Sequence, residues 1–149
     1  PCYQEIRSED IPEVTRDDGA HIRVIAGELE GVIGAVNGIA VDPTYLDVFL
    51  PAGAVFSHLV PNGHAVFTYV FEGNAVIGAR AGARTVDCGQ LAVLGVGEEI
   101  RVSAQSNPAR FLLAAGRPHR EPIVKYGPFV MNTRQQIAEA IDDFRSGRF

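Results

Sequence analysis

An all-β antiparallel barrel or jelly roll, finished by one carboxy-terminal amphipathic helix, is the fold this sequence predicts. Three observations predict it. Short β-rich runs of about four to eight residues recur at roughly 8–12-residue spacing, separated by Pro, Gly, Asn and Asp turns. The stretch at 64–78 (HAVFTYVFEGNAVIG) alternates in period two over Val66 to Phe71, breaks at Glu72-Gly73-Asn74 and resumes at Ala75. Near the end, Ile137, Ala140, Ile141 and Phe144 fall on one helical face.

The stretch at 64–78 reads as a β-hairpin, two runs joined by a Gly-containing turn. Period two puts His64, Val66, Thr68 and Val70 on one face and Phe67, Tyr69 and Phe71 on the other. Both faces are largely apolar, so both are expected to be covered.

The other elements follow in order. Residues 1–20 form a polar lead-in, with Pro12 and a turn cluster at Arg16-Asp17-Asp18-Gly19. Residues 21–26 (HIRVIA) read as a strand, 27–38 as a Gly-rich loop or bulged meander, and 45–50 (YLDVFL) as a strand with Tyr45, Asp47 and Phe49 on one face. Pro51-Ala52-Gly53 turns the chain into a strand at 55–60, closed by Pro61-Asn62-Gly63. Further strands are expected around Thr85-Val86 within 80–89, and at 91–94, 100–104 and 109–115. The barrel therefore spans 21–116 and an arm with the helix spans 117–149. Arg117-Pro118 and Glu121-Pro122 are extended dipeptides, because the residue before proline avoids the α region. Gly127-Pro128 is a turn, Thr133 with Gln136 makes a capping box, and Gly147 ends the helix.

With 149 residues the chain is long enough for one well-buried core, and 46% hydrophobic composition is ordinary for a globular domain. The balance of 13 basic against 18 acidic side chains, without a basic stripe, argues against direct nucleic-acid binding. No apolar run reaches the ~20 residues of a membrane span. The first residues carry no basic or apolar leader, and a start at Pro1 where Met is usual points to a piece of something longer. Cys2 and Cys88 make no framework and no CxxC pair, so both read as reduced thiols in a cytoplasmic protein.

Several segments carry a family resemblance. The Pro51-to-Gly53 turn, YVFEG at 69–73 and GQLAVLGVGEEIRV at 89–102 resemble the two conserved motifs of the cupin superfamily. EPIVKYGPFVMNT at 121–133, followed by a short helix, is similar to the carboxy-terminal half of pirin-family proteins, and PCYQEI at 1–6 is similar to the linker entering it. The resemblance implies a cupin barrel and a parent with two cupins. It further implies that the amino-terminal cupin holds a mononuclear iron through three histidines and a glutamate, and that the carboxy-terminal one, which this chain matches, generally does not. Family activities include a quercetin 2,3-dioxygenase activity in some members and transcriptional co-regulation in others.

A cupin metal site needs imidazoles and a carboxylate converging inside the barrel, with positions left open. Where the resemblance puts the glutamate, this chain has Val66. Where it puts the histidine pair, residues 59–62 contain no histidine. Arg101 stands nearest the second-motif histidine, and a guanidinium has no lone pair to give a metal. The site reads as dismantled, and no cofactor is expected in this chain. The rearranged alternative is an Fe(II) site built from His58, His64 and Glu98; otherwise His64 lines the pocket or its rim and His58 faces solvent. His64, Val66, Thr68 and Arg101 are the candidates for lining a barrel pocket, which could accept a small molecule. His119 and His21 read as surface or structural, and Glu72 as a turn residue. Gly95-Val96-Gly97 precedes a strand, so it is no phosphate loop.

Two readings follow. In the first, the chain is a non-catalytic cupin module, a scaffold that meets an amino-terminal cupin or a second copy through its arm and helix. In the second, the chain or its parent is an Fe(II)-dependent quercetin 2,3-dioxygenase.

Overall fold

The computed structural model describes residues 5–79 and 82–148. Cys2 and Arg80 lie outside these. Two compact units emerge, one running to Pro118 and one from His119.

The first unit is an antiparallel sheet ordered β1-β2-β5-β11-β7-β10-β6, with β8 and β9 also paired to β7. The strands are β1 (Glu13–Thr15), β2 (His21–Ala26), β5 (Thr44–Leu50), β6 (Val55–Leu59), β7 (Ala65–Ile77), β8 (Arg84–Asp87), β9 (Leu91–Val93), β10 (Glu99–Ser103) and β11 (Ala109–Gly116). The sheet curls on itself. Phe56 on the edge strand β6 meets Phe111 on β11 edge to face, with ring centroids 6.0 Å apart. Both rings are fully buried among Ile22, Val48, Leu50, Val70 and Val102.

The expected hairpin at 64–78 is one strand of 13 residues. Its first half pairs with β11 and β9, its second with β8 and β10. The break in alternation is a β-bulge. Phe111 sits opposite Val70 and Arg110 opposite Glu72, which leaves Phe71 as the extra residue. One inserted residue reverses the inward parity. Val66, Thr68 and Val70 point inward before the bulge, and Ala75 and Ile77 after it. Gly73 has φ +66, and a Cβ there would lie 2.2 Å from the Pro108 carbonyl oxygen, so only glycine fits. The Glu-Gly-Asn signature is thus a crossing point between two halves of one strand.

The second face of β7 is also not covered as expected. Phe67 and Tyr69 are 42% and 36% exposed. The lead-in contributes to the sheet, since Glu13–Thr15 pairs with β2. The meander at 27–38 holds a small ladder, β3 (Glu28–Leu29) with β4 (Val32–Ile33), whose Leu29 is buried in the core.

The second unit folds as a hairpin and a helix. The arm, expected to be extended, forms β12 (Val124–Tyr126) and β13 (Phe129–Met131), turning at Gly127-Pro128. Helix α1 (Arg134–Arg145) starts at the predicted capping box: the Gln136 amide donates to the Thr133 hydroxyl at 3.1 Å, and the Thr133 amide donates to the Gln136 side chain at 3.0 Å. Ile137 and Ala140 are buried, and Phe144 meets Phe129 edge to face at 6.2 Å. Among the described residues no helix is long and apolar enough to cross a membrane.

Candidate functional site: the barrel interior and its mouth

Strand parity decides what enters the barrel. On β6, Phe56 is fully buried, so His58, two residues on, shares its inward face. The two rings stack with centroids 6.2 Å apart. His58 is half-buried, not the solvent-facing residue the sequence suggested. Its pKa is lowered, first by burial and then by the nearby Arg16 guanidinium, so the imidazole is favoured in its neutral form.

Arg16 comes from the β1–β2 turn. Its guanidinium lies 5.1 Å from the centroid of the Phe56 ring, a cation–π contact. The same group donates to Glu30 from Nε at 2.8 Å and from a terminal nitrogen at 2.5 Å. Glu30 and Gly31, with φ +52 and +82, form the tip of the β3–β4 ladder. An ion pair therefore ties that ladder to the turn beside His58. Neither partner was singled out from sequence. The only signal was Arg16 in a turn and a Glu-Gly pair in a loop, 14 residues apart.

The pocket candidates divide. Val66 and Thr68 point inward, and Thr68 is fully buried between Leu113 and Ala92 in the ladder. Its Oγ1 has no hydrogen-bond partner, and neither does the buried Nδ1 of His64, which sits just before β7. Arg101 points the other way. Ile100 and Val102 face inward, so Arg101 leaves the strand on the other side and is exposed, lining a groove with Arg84 and the core residues Ile77, Val86 and Ile100. The alternation of Ile100, Arg101 and Val102 already carried that answer.

Glu98, the third member of the rearranged metal set, is exposed. Among the described residues no three His, Cys, Asp or Glu side chains are grouped so that they could hold a metal ion. The donors present therefore do not fit a three-histidine, one-glutamate iron centre. Of the other histidines, His21 meets Glu13 at 3.0 Å on the outer face of the sheet, and His119 is exposed. Cys88 is exposed, and its thiol donates to the Phe71 carbonyl at 3.2 Å.

A second polar cluster lies outside the barrel. Arg110 clamps Asp47 with two hydrogen bonds of 2.9 and 2.7 Å, approaches Glu72 at 3.5 Å and lies over the Phe71 ring. The hydrogen bond to Asp47 raises the Arg110 pKa further. Arg110, Asp47 and Glu72 line a groove of about 830 Å³ together with Glu13, His21 and Arg23. Arg110 is paired there with Asp47 and Glu72, and Glu13 with His21 and Arg23, an interlocked polar network on the sheet.

Comparison with known proteins fits this geometry. The family model for the pirin C-terminal cupin domain matches residues 45–149. A pirin-like protein of Caulobacter vibrioides is 44% identical over all of this chain and 52% of its own length. Human pirin is 40% identical over 99% of this chain and 51% of its own length. The crystal structure of a quercetin 2,3-dioxygenase from Acinetobacter baumannii superposes with a TM-score of 0.87 at 37% identity, covering 99% of this chain and 50% of that one. The chain thus spans about half the length of these relatives. It belongs to the pirin family of the cupin superfamily, and what it matches there is the carboxy-terminal cupin.

Proposed function

We propose that this chain is a metal-site-degenerate cupin module that acts as a scaffold and interaction domain within a two-cupin, pirin-type protein. The observation that carries this reading is the donor set of the barrel. Val66 and Thr68 occupy inward positions on β7, Arg101 and Glu98 are exposed, and two histidines remain without a third grouped ligand. A mononuclear oxygenase centre needs more donors than that. Inward on β6 and β7 the chain instead offers an imidazole favoured in its neutral form, that of His58, and the unpartnered Thr68 hydroxyl, with an unpartnered buried ring nitrogen on His64 just before β7. That chemistry suits packing or a small neutral ligand. In the second unit, Tyr126, Val130 and Phe144 are more than half exposed, an interaction surface on the arm and helix.

A second reading is favoured by the likeness to the Acinetobacter enzyme. The intact protein is then a quercetin 2,3-dioxygenase whose Fe(II) chemistry resides in the other half or in a rearranged site here. Whether any of that chemistry lies in a rearranged site of this half is tested by assaying the 149-residue chain, supplied with Fe(II), for quercetin consumption. The module reading expects turnover no faster than free Fe(II) in buffer. Turnover that disappears in His58→Ala, with the fold retained, would overturn it.

A further inference from the structure

Strands β8 and β9 pair with opposite halves of β7, and residues of both line a groove of about 380 Å³. Small-molecule pockets run from about 300 to about 1,000 Å³, so the groove has room for a small ligand. Its floor is aliphatic: the buried side chains of Ile77, Val86 and Ile100 line it, with the partly buried Leu94. Gly82, Gly95 and Gly97 line it as well. None of these three has a positive φ, and a Cβ at any of them would meet nothing nearer than 4.0 Å beyond its chain neighbours. Neither backbone conformation nor close packing therefore asks for glycine there. The missing side chains leave an open wall over the aliphatic floor. Three exposed charged residues complete the lining, Arg84, Glu99 and Arg101.

We propose that this groove binds a small, singly charged anion with an aliphatic body, a medium-chain carboxylate. Its tail lies on Ile77, Val86, Leu94 and Ile100, and its head group meets the Arg84 and Arg101 guanidiniums. Charge selects the head. Two guanidiniums against the one carboxylate of Glu99 leave one positive charge over, which a monoanion neutralises. Arg101 makes no ion pair among the described residues, so its planar donor fork is available to a carboxylate. The walls select the tail. Among the described residues no aromatic ring lines the groove, and a flexible chain fits aliphatic side chains and bare backbone. His58 and His64 are not in the lining, so this inference and the reading of the barrel interior stand or fall separately.

Calorimetric titration of the 149-residue chain with octanoate at neutral pH tests this. The expected result is saturable binding that weakens roughly ten-fold or more in Arg101→Gln, which removes a charged hydrogen-bond donor. Binding should be lost in Gly95→Val, which builds a side chain into open groove space. Circular dichroism and urea unfolding check that each variant keeps its fold, and Gly97→Val takes the place of a Gly95 variant that does not. 1-Octanol, the same chain without the charge, should bind roughly ten-fold or more weakly than octanoate. Equal affinity for octanol and octanoate would overturn the role of the arginines. Octanoate affinity unchanged in folded Arg101→Gln and in the folded glycine variant would put the binding elsewhere on the chain and overturn the site. Absence of saturable binding at millimolar octanoate would overturn the inference as a whole.

Discussion

Replacing Gly73 by alanine tests the bulge that turns β7 from one half of the barrel to the other. Two costs add. A non-glycine residue at φ +66 costs about 1–2 kcal/mol. The new Cβ would also stand 2.2 Å from the Pro108 carbonyl oxygen. A relaxed C···O contact is about 3.3 Å or longer, so something must move by about 1 Å. That carbonyl adjoins Ala109, which begins β11 and pairs on both edges, with β5 and β7. Forcing such a shift in a packed sheet costs about 1–3 kcal/mol. The total is about 2–5 kcal/mol, or roughly 2–4 °C in Tm for each kcal/mol at this chain length. Gly63→Ala is the control, because Gly63 has φ +85 with nothing within 4 Å of its virtual Cβ. It should lose only the backbone part, about 1–2 kcal/mol. Urea unfolding followed by circular dichroism measures both. Equal losses in the two variants would refute the close approach and restore the hairpin reading, in which Gly73 is an open turn residue.

Two further outcomes are expected. The His58 pKa is lowered in the folded protein, from a value of 6.5 when unperturbed. The unfolded chain then takes up the proton first as pH falls, so stability is full above that value and declines as pH drops below it, by at most about 1.4 kcal/mol per pH unit for one group. Unfolding measured from pH 8 to pH 5 should show wild type losing ground to His58→Gln on acidification; a pH-independent difference would mean that His58 is not held neutral. Thr68→Val should stabilise the chain by about 1 kcal/mol, since it replaces an unpartnered buried hydroxyl by a methyl of the same shape. A loss of stability in the same urea assay would mean that the hydroxyl is satisfied in solution by water or a ligand.

Local signals carried most of the fold. The runs at 21–26, 45–50, 55–60 and 109–115 fall on β2, β5, β6 and β11, because alternation and flanking Pro and Gly are encoded within a few residues. The helix start was equally legible, since Thr133 and Gln136 satisfy each other three residues apart. The bulge was not. Glu-Gly-Asn has the same composition whether it reverses a chain or kinks it, and what decides is Pro108, 35 residues away in sequence by the numbering. The site was mixed. The inward turn of His58 and the outward turn of Arg101 both follow from neighbours of known parity, Phe56 and Val60 in one case, Ile100 and Val102 in the other. Arg16–Glu30 and Asp47–Arg110 join residues 14 and 63 apart, which no local pattern predicts. The small ladder at 28–33 escaped because each strand has only two residues, too short for period two to show.

That this barrel is a binding scaffold and not an oxygenase centre is what we propose. Its most direct test is the iron content of the purified chain after anaerobic Fe(II) loading and desalting, read by elemental analysis. Far less than one iron per chain, unchanged in His58→Ala and His64→Ala, is the predicted result. Near-stoichiometric iron, lost when either histidine is replaced in a folded variant, would contradict it.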